Sequence, residues 1–332
     1  MTVSRNARIP GPSVRRLTQI LVVALAVGLL VNACVADESD EGKGQGDDVT
    51  QENHSHDETA SDAELSEVPL SDSEVTVVVA NSPGTLVPAT SQRLMTAILD
   101  PSGVGYLGSA QDPIEVVVRP VDAPGAADSE QRLNARWLSA HEAGLGLYLS
   151  EPVFDAAGIW EVRIESQGTD IGGTLVEVAA EPVMPLIGSA APPSDSPTSA
   201  GRSDLTAIST DTDPNPTFYE LSIGDAVTSG TPTVIAFATP AFCQTALCGP
   251  TMEHVRETVA GRSDLNVVHV EPYDLTEARS GNLVPVPAMV EWNLPTEPWV
   301  FVVDGSGTIT AAFEGIFGAD ELSAALDALD AG

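Results

Sequence analysis

Lysine is nearly absent from this 332-residue chain: Lys43 is the only one, and 14 Lys and Arg residues stand against 48 Asp and Glu, a formal net charge of −34. Such a surface repels phosphate backbones and anionic membrane patches, which excludes nucleic acid as a partner. Aromatic residues make up only 5% of the chain, yet the hydrophobic fraction of 42% suffices for a packed core, so the acidity does not imply disorder throughout. Long apolar runs are lacking too; the run over 17–31 is short for a membrane span. At about 150 residues per domain, the length allows two domains plus tails.

The apolar run follows Arg5, Arg8, Arg15 and Arg16, the arrangement of an export signal. It ends in Leu30-Val31-Asn32-Ala33-Cys34, which resembles a bacterial lipobox, although Asn32 is less usual at its place. The resemblance implies a signal peptide over 1–33, cleavage before Cys34 and lipidation of its thiol. The protein is then expected in the bacterial cell envelope, lipid-anchored and extracytoplasmic. With Cys34 lipidated, the three cysteines reduce to the pair Cys243 and Cys248 in an oxidising compartment.

Residues 34–73 form an acidic stretch with fourteen carboxylates over 35–74 and no apolar periodicity, the composition of a disordered tether. Within it, His54 and His56 are weak candidates to recruit a metal ion, because nothing preorganises a coordination sphere there. No other metal site and no cofactor are expected.

Over 74–181 the pattern changes to short alternating runs separated by Gly, Pro, Asp and Ser, about seven strands, which suggests an all-β immunoglobulin-like sandwich. The segment Phe154-Asp155-Ala156-Ala157-Gly158-Ile159-Trp160-Glu161-Val162 resembles the turn and strand of many bacterial extracellular sandwich domains, and Trp160 reads as core. Residues 182–216, rich in Pro and Ser, read as a linker.

From 217 to 332 strand and helix patterns alternate: the apolar run 233–238, a helix from about 250 to 260, a strand over 266–271, a hairpin about Asp304-Gly305-Ser306-Gly307 and a closing amphipathic helix over 319–331. The run into Cys243, Cys248-Gly249-Pro250-Thr251, and Trp292-Asn293-Leu294-Pro295-Thr296-Glu297-Pro298-Trp299 together resemble the thioredoxin-like domain of TlpA-like and ResA-like redox lipoproteins. The resemblance implies a multidomain chain with an α/β thioredoxin-like C-terminus. It also implies a thiol-disulfide oxidoreductase exchanging disulfides through Cys243 and Cys248, with Pro298 and Glu297 in the substrate groove. Its partners would be a thiol or disulfide protein substrate and a redox partner protein, with the membrane reached through lipid on Cys34.

Four residues separate the cysteines, where that family usually has two. Pro250 fits the first turn of a helix, which would place Cys248 at the N-terminus and favour its thiolate; family precedent favours attack by Cys243 instead. Glu297, if turned inward, would raise a thiolate pKa. His254 reads as a surface residue. Three alternatives stand beside the redox reading. Sco-like copper delivery lacks its histidine near Thr296, with His269 only a distant substitute. A thiol peroxidase lacks an evident activating arginine, Arg256, Arg262 and Arg279 being the candidates. The non-enzymatic alternative is an envelope binding module in which Cys243 and Cys248 form a structural disulfide.

Overall fold

Alternating burial along the first half of the chain produces an antiparallel sandwich. A computed structural model describes residue 70 and residues 74–330, except 89–90, 104, 122–128, 140–145 and 245–246. The export signal, Cys34, the acidic stretch, His54 and His56 lie outside the described residues. Eight strands, β1 (Thr76–Val79), β2 (Leu94–Leu99), β3 (Tyr106–Leu107), β4 (Ile114–Pro120), β5 (Gln131–Ser139), β6 (Gly146–Ser150), β7 (Gly158–Ser166) and β8 (Thr169–Val178), form one sheet in the order β1-β2-β6-β5-β4-β7-β8, with β3 beside β2. The sheet folds over so that Gly172 of β8 lies against Val77 of β1.

In β7 the period-two pattern buries Trp160, Val162 and Ile164 and turns Glu161, Arg163 and Glu165 outward. Trp160 packs edge-on against Phe154 at 5.0 Å, and its indole N–H donates to the Ala156 carbonyl. The outward residues pair across strands, Arg132 with Glu115 and Glu165, Arg163 with Glu130. Such exposed pairs add little stability singly and serve mainly to keep this face solvated. The hairpin between β7 and β8 turns at Gln167 and Gly168, both at positive φ (52° and 80°), as the twist of a two-residue connection requires.

The second sheet comprises β9 (Thr233–Phe237), β10 (Asn266–Val270), β11 (Trp299–Val303) and β12 (Ile309–Glu314), ordered β10-β9-β11-β12. β10 runs parallel to β9, and β11 antiparallel to both its neighbours. The parallel pair needs a crossover, supplied by α2 (Cys248–Thr258). Both faces are covered, so β9 and β11 are apolar along their whole length. Val234, Ala236, Val300 and Val302 face α2 and α5 (Ala319–Asp330). Ile235, Phe237, Phe301 and Val303 face α1 (Ile223–Val227), α3 (Leu275–Ala278) and α4 (Pro287–Glu291), with Trp292 at the centre.

Residues 182–216 lie against this second sheet. Ala190 bridges Thr308, the Ile223 N–H donates to Ser196 Oγ, and Ile208 enters the core beside Phe218.

Residues 64–332 form one compact unit, and its two sheets meet across a polar seam. Glu314, at the end of β12, is buried; its Oε1 accepts from the Ser82 N–H at 2.8 Å, and its Oε2 from Thr85 Oγ1 and Asn81 Nδ2 at 3.2 and 3.4 Å. Ser82 Oγ lies 2.9 Å from Thr296 Oγ1. Arg93 donates to Glu321 and to the Ile316 carbonyl, and Arg136 also pairs with Glu321. Beside these contacts Met95, Ala97, Leu138, Leu147, Leu149 and Ile316 form a shared apolar cluster.

The expected fold class is corrected accordingly. The chain was expected to be multidomain, with an α/β thioredoxin-like C-terminus. Its described residues are predominantly β, twelve strands in two sheets against five short helices, and they bury charged and apolar side chains between the sheets.

Candidate functional site

Three of the side chains singled out in the sequence meet at the end of β9. The strand is buried to Phe237, and the chain then loops until α2 begins at Cys248, with Pro250 in its first turn, where a missing N–H costs no helical hydrogen bond. Cys248 is fully buried and Cys243 half-buried, and the Cys248 N–H donates to Cys243 Sγ at 3.2 Å. The connection into β11 carries Glu297 and Pro298, joined by a cis peptide bond. Glu297 is buried, and one of its oxygens lies with both sulfurs in a cluster whose atoms are all within 4.8 Å of one another.

Two further residues position this carboxylate, and nothing in the sequence marked them. Glu297 Oε2 accepts from Tyr273 Oη at 2.6 Å and Oε1 from the Gln244 N–H at 3.2 Å, while Gln244 Nε2 donates to Tyr273 Oη at 3.1 Å. Burial pushes the Glu297 pKa up, against the pull of these hydrogen bonds, and the neighbouring Cys243 adds to the rise. The Cys248 thiol is pushed far up, first by its hydrogen bond with Cys243, then by burial and by the charges of Cys243 and Glu297. Its place at the N-terminus of α2 does not offset these effects, so Cys248 is a thiol at neutral pH, and of the two readings the one that made it the thiolate is corrected.

Other candidates lie elsewhere. His269 is buried, with Nδ1 2.6 Å from Tyr219 Oη and Nε2 donating to the Ala238 carbonyl at 2.9 Å, and burial lowers its pKa. His254, expected on the surface, is buried against Phe317. Arg256 pairs with Asp211, Arg262 with Asp264 and Asp330, and Arg279 donates to the Thr206 carbonyl. None of these interactions serves the cysteine pair.

A second feature arises at the seam between the sheets. A cleft of about 570 Å³ is lined by Leu86, Arg93, Met184, Ile187, Trp299 and Phe313, with Glu314 and Glu321 among its polar walls. Both carboxylates are engaged: Glu314 holds Ser82 and Thr85, and Glu321 holds Arg93, Arg136 and the Gly318 N–H. Two donors are not: Arg93 Nη1 and Trp299 Nε1 are buried and make no hydrogen bond among the described residues. The Arg93 guanidinium lies 5.4 Å above the Phe313 ring, which fixes its position. At the rim, Ile187 is 62% exposed.

No family model matches the chain. No curated protein matches it either. Among solved structures it is similar to the Escherichia coli adhesin FdeC, at 21% identity over 32% of this chain and a TM-score of 0.22; the chain spans about a third of that adhesin's length. It is also similar to the filamin domain of Lin-41, at 13% identity over 32% of this chain and 93% of that one, with a TM-score of 0.20.

The functional expectations drawn from resemblance are corrected here. The resemblance to TlpA-like and ResA-like lipoproteins, and the oxidoreductase activity it implied, are not retained, because the described residues are predominantly β, twelve strands in two sheets. At the cysteines one expectation is corrected: the hydrogen bond with Cys243, burial and the charges of Cys243 and Glu297 hold Cys248 protonated. The groups that the copper and peroxidase alternatives would draw on are bonded elsewhere: His269 to Tyr219 and Ala238, Arg256 to Asp211, Arg262 to Asp264 and Asp330, and Arg279 to Thr206.

Proposed function

We propose that this chain is a non-enzymatic binding module of the bacterial cell envelope, exported and anchored outside the cytoplasm through lipid on Cys34. The lipobox-like residues 30–34 support the anchor, and a location outside the cytoplasm is in keeping with the adhesin among the similar structures. The partner is taken up in the cleft between the two sheets, as an apolar group carrying a hydrogen-bond acceptor. The observation that carries this reading is the pair of unspent donors, Arg93 Nη1 and Trp299 Nε1, on residues that line the cleft together with Leu86, Met184 and Phe313 and the already engaged Glu314 and Glu321. A buried donor without a partner costs about 1–3 kcal/mol, and an arriving carbonyl or carboxylate recovers that cost. Few, well-placed polar groups in an apolar cleft are the usual composition of a binding site.

The test is photo-crosslinking in cells that make the protein. A photoreactive residue at Ile187, on the cleft rim, is expected to yield discrete adducts that the same residue at Gln167, on the β7–β8 hairpin, does not. No adduct from Ile187, or the same adducts from both positions, would overturn the reading.

A further inference from the structure

We propose that Cys243, Cys248 and Glu297 form a zinc site with three protein ligands and one position open to solvent. The proposal is separate from the cleft and does not depend on it. Two sulfurs and a carboxylate oxygen already lie within 4.8 Å of one another. Zinc bonds of about 2.3 Å to sulfur and about 2.0–2.2 Å to oxygen place tetrahedral donors roughly 3.3–3.8 Å apart, so a small contraction completes the geometry. Cys248 and Glu297 are buried, on the first turn of α2 and the approach to β11, while half-buried Cys243 lies in the loop before α2 and accepts from the Cys248 N–H.

The donor set selects the ion. Calcium and magnesium take oxygen ligands and avoid sulfur, whereas copper(I) is satisfied by thiolates and gains little from a carboxylate. Two thiolates with one carboxylate match zinc, and their three negative charges are largely balanced by its two positive ones. Binding releases the two thiol protons to solvent. The surroundings are those of a metal site: Tyr273 Oη and the Gln244 N–H each hold one oxygen of Glu297, and Gln244 Nε2 holds Tyr273 in turn. Outer hydrogen bonds of this kind orient a ligand and tune its affinity. Access from the Cys243 side leaves the fourth position to water.

The experiment is titration of the full mature chain, reduced and under argon, with cobalt(II) and then zinc. Expected is one cobalt per chain with a thiolate-to-cobalt charge-transfer band that zinc displaces. Cys243→Ser is expected to abolish tight binding. Glu297→Gln is expected to weaken it at least tenfold while keeping the two-thiolate band. Tyr273→Phe is expected to weaken it about 10- to 100-fold with the stoichiometry unchanged. Should Cys248→Ser fail to fold, Cys243→Ser and Tyr273→Phe decide the matter, since Cys243 is half-buried and Phe keeps the ring. No charge-transfer band, copper(I) binding without zinc binding, or a Glu297→Gln protein that binds as tightly as the parent would each overturn the proposal.

Discussion

Glu314 is the most informative residue at which to perturb the seam. Replacing it with alanine removes the acceptor of the Ser82 N–H, a buried donor with no other partner in the seam, whereas Thr85 keeps the Ser82 carbonyl and Asn81 keeps the Arg93 carbonyl. One orphaned buried donor costs about 1–3 kcal/mol, and the lost side-chain packing adds to it. Glu314→Gln retains an oxygen for Ser82 and is expected to stay within about 1 kcal/mol of the parent at neutral pH. The two variants also separate by pH. Burial raises the Glu314 pKa, so the folded chain binds this proton more tightly than the unfolded one. By linkage its contribution is fully present below the ordinary glutamate value and is lost as pH rises through the raised one. Glu314→Gln therefore gains relative to the parent as pH climbs through that window. Urea unfolding from pH 4 to 8, read from the midpoint at constant slope, measures both effects. An alanine variant as stable as the parent, or a glutamine variant that weakens relative to the parent with rising pH, would refute the reasoning.

Three further outcomes follow from the same contacts. His269 has its pKa lowered by burial, so stability is expected to fall as pH drops below about 6.5, by up to about 1.4 kcal/mol per pH unit, and His269→Gln should flatten that limb in the same unfolding series. Trp160→Ala empties the centre of the sandwich and is expected to cost about 3–5 kcal/mol, read as a drop in the urea midpoint. In the reduced chain at neutral pH, iodoacetamide should label half-exposed Cys243 well before Cys248, as peptide mass spectrometry will show; equal rates would contradict the burial and raised pKa assigned to Cys248.

How much of this was legible beforehand depended on whether a feature was local. The alternation in β7 and the unbroken apolar runs of β9 and β11 are visible residue by residue, because each strand carries its own burial pattern. Pro250 pointed to a helix beginning near Cys248 for an equally local reason. Features made by distant segments were not legible. His254 lies off the apolar stripe of α2 and reads as exposed until Phe317 closes over it. Residues 182–216 have the composition of a linker, yet they pack along the second sheet through backbone bonds that composition does not record. Glu314 and Arg93 read as ordinary surface charges because their partners lie more than 200 positions away. The protonation state of Cys248 was not legible either: the helix N-terminus suggested a thiolate, but burial and the neighbouring Cys243 and Glu297, which keep Cys248 protonated, come from the fold.

The central claim, that the cleft binds a partner through its unspent donors, is tested most directly by Trp299→Phe. The change removes an N–H that bonds to nothing among the described residues, together with the five-membered ring of a buried indole stacked on Phe301, so a stability loss of about 1–3 kcal/mol is expected from the cavity alone. A hydrogen bond made to the partner is worth about 0.5–1.5 kcal/mol, so the crosslinking yield from Ile187, measured at limiting partner, should fall about 2- to 12-fold. An unchanged yield from a correctly folded Trp299→Phe protein would contradict the account.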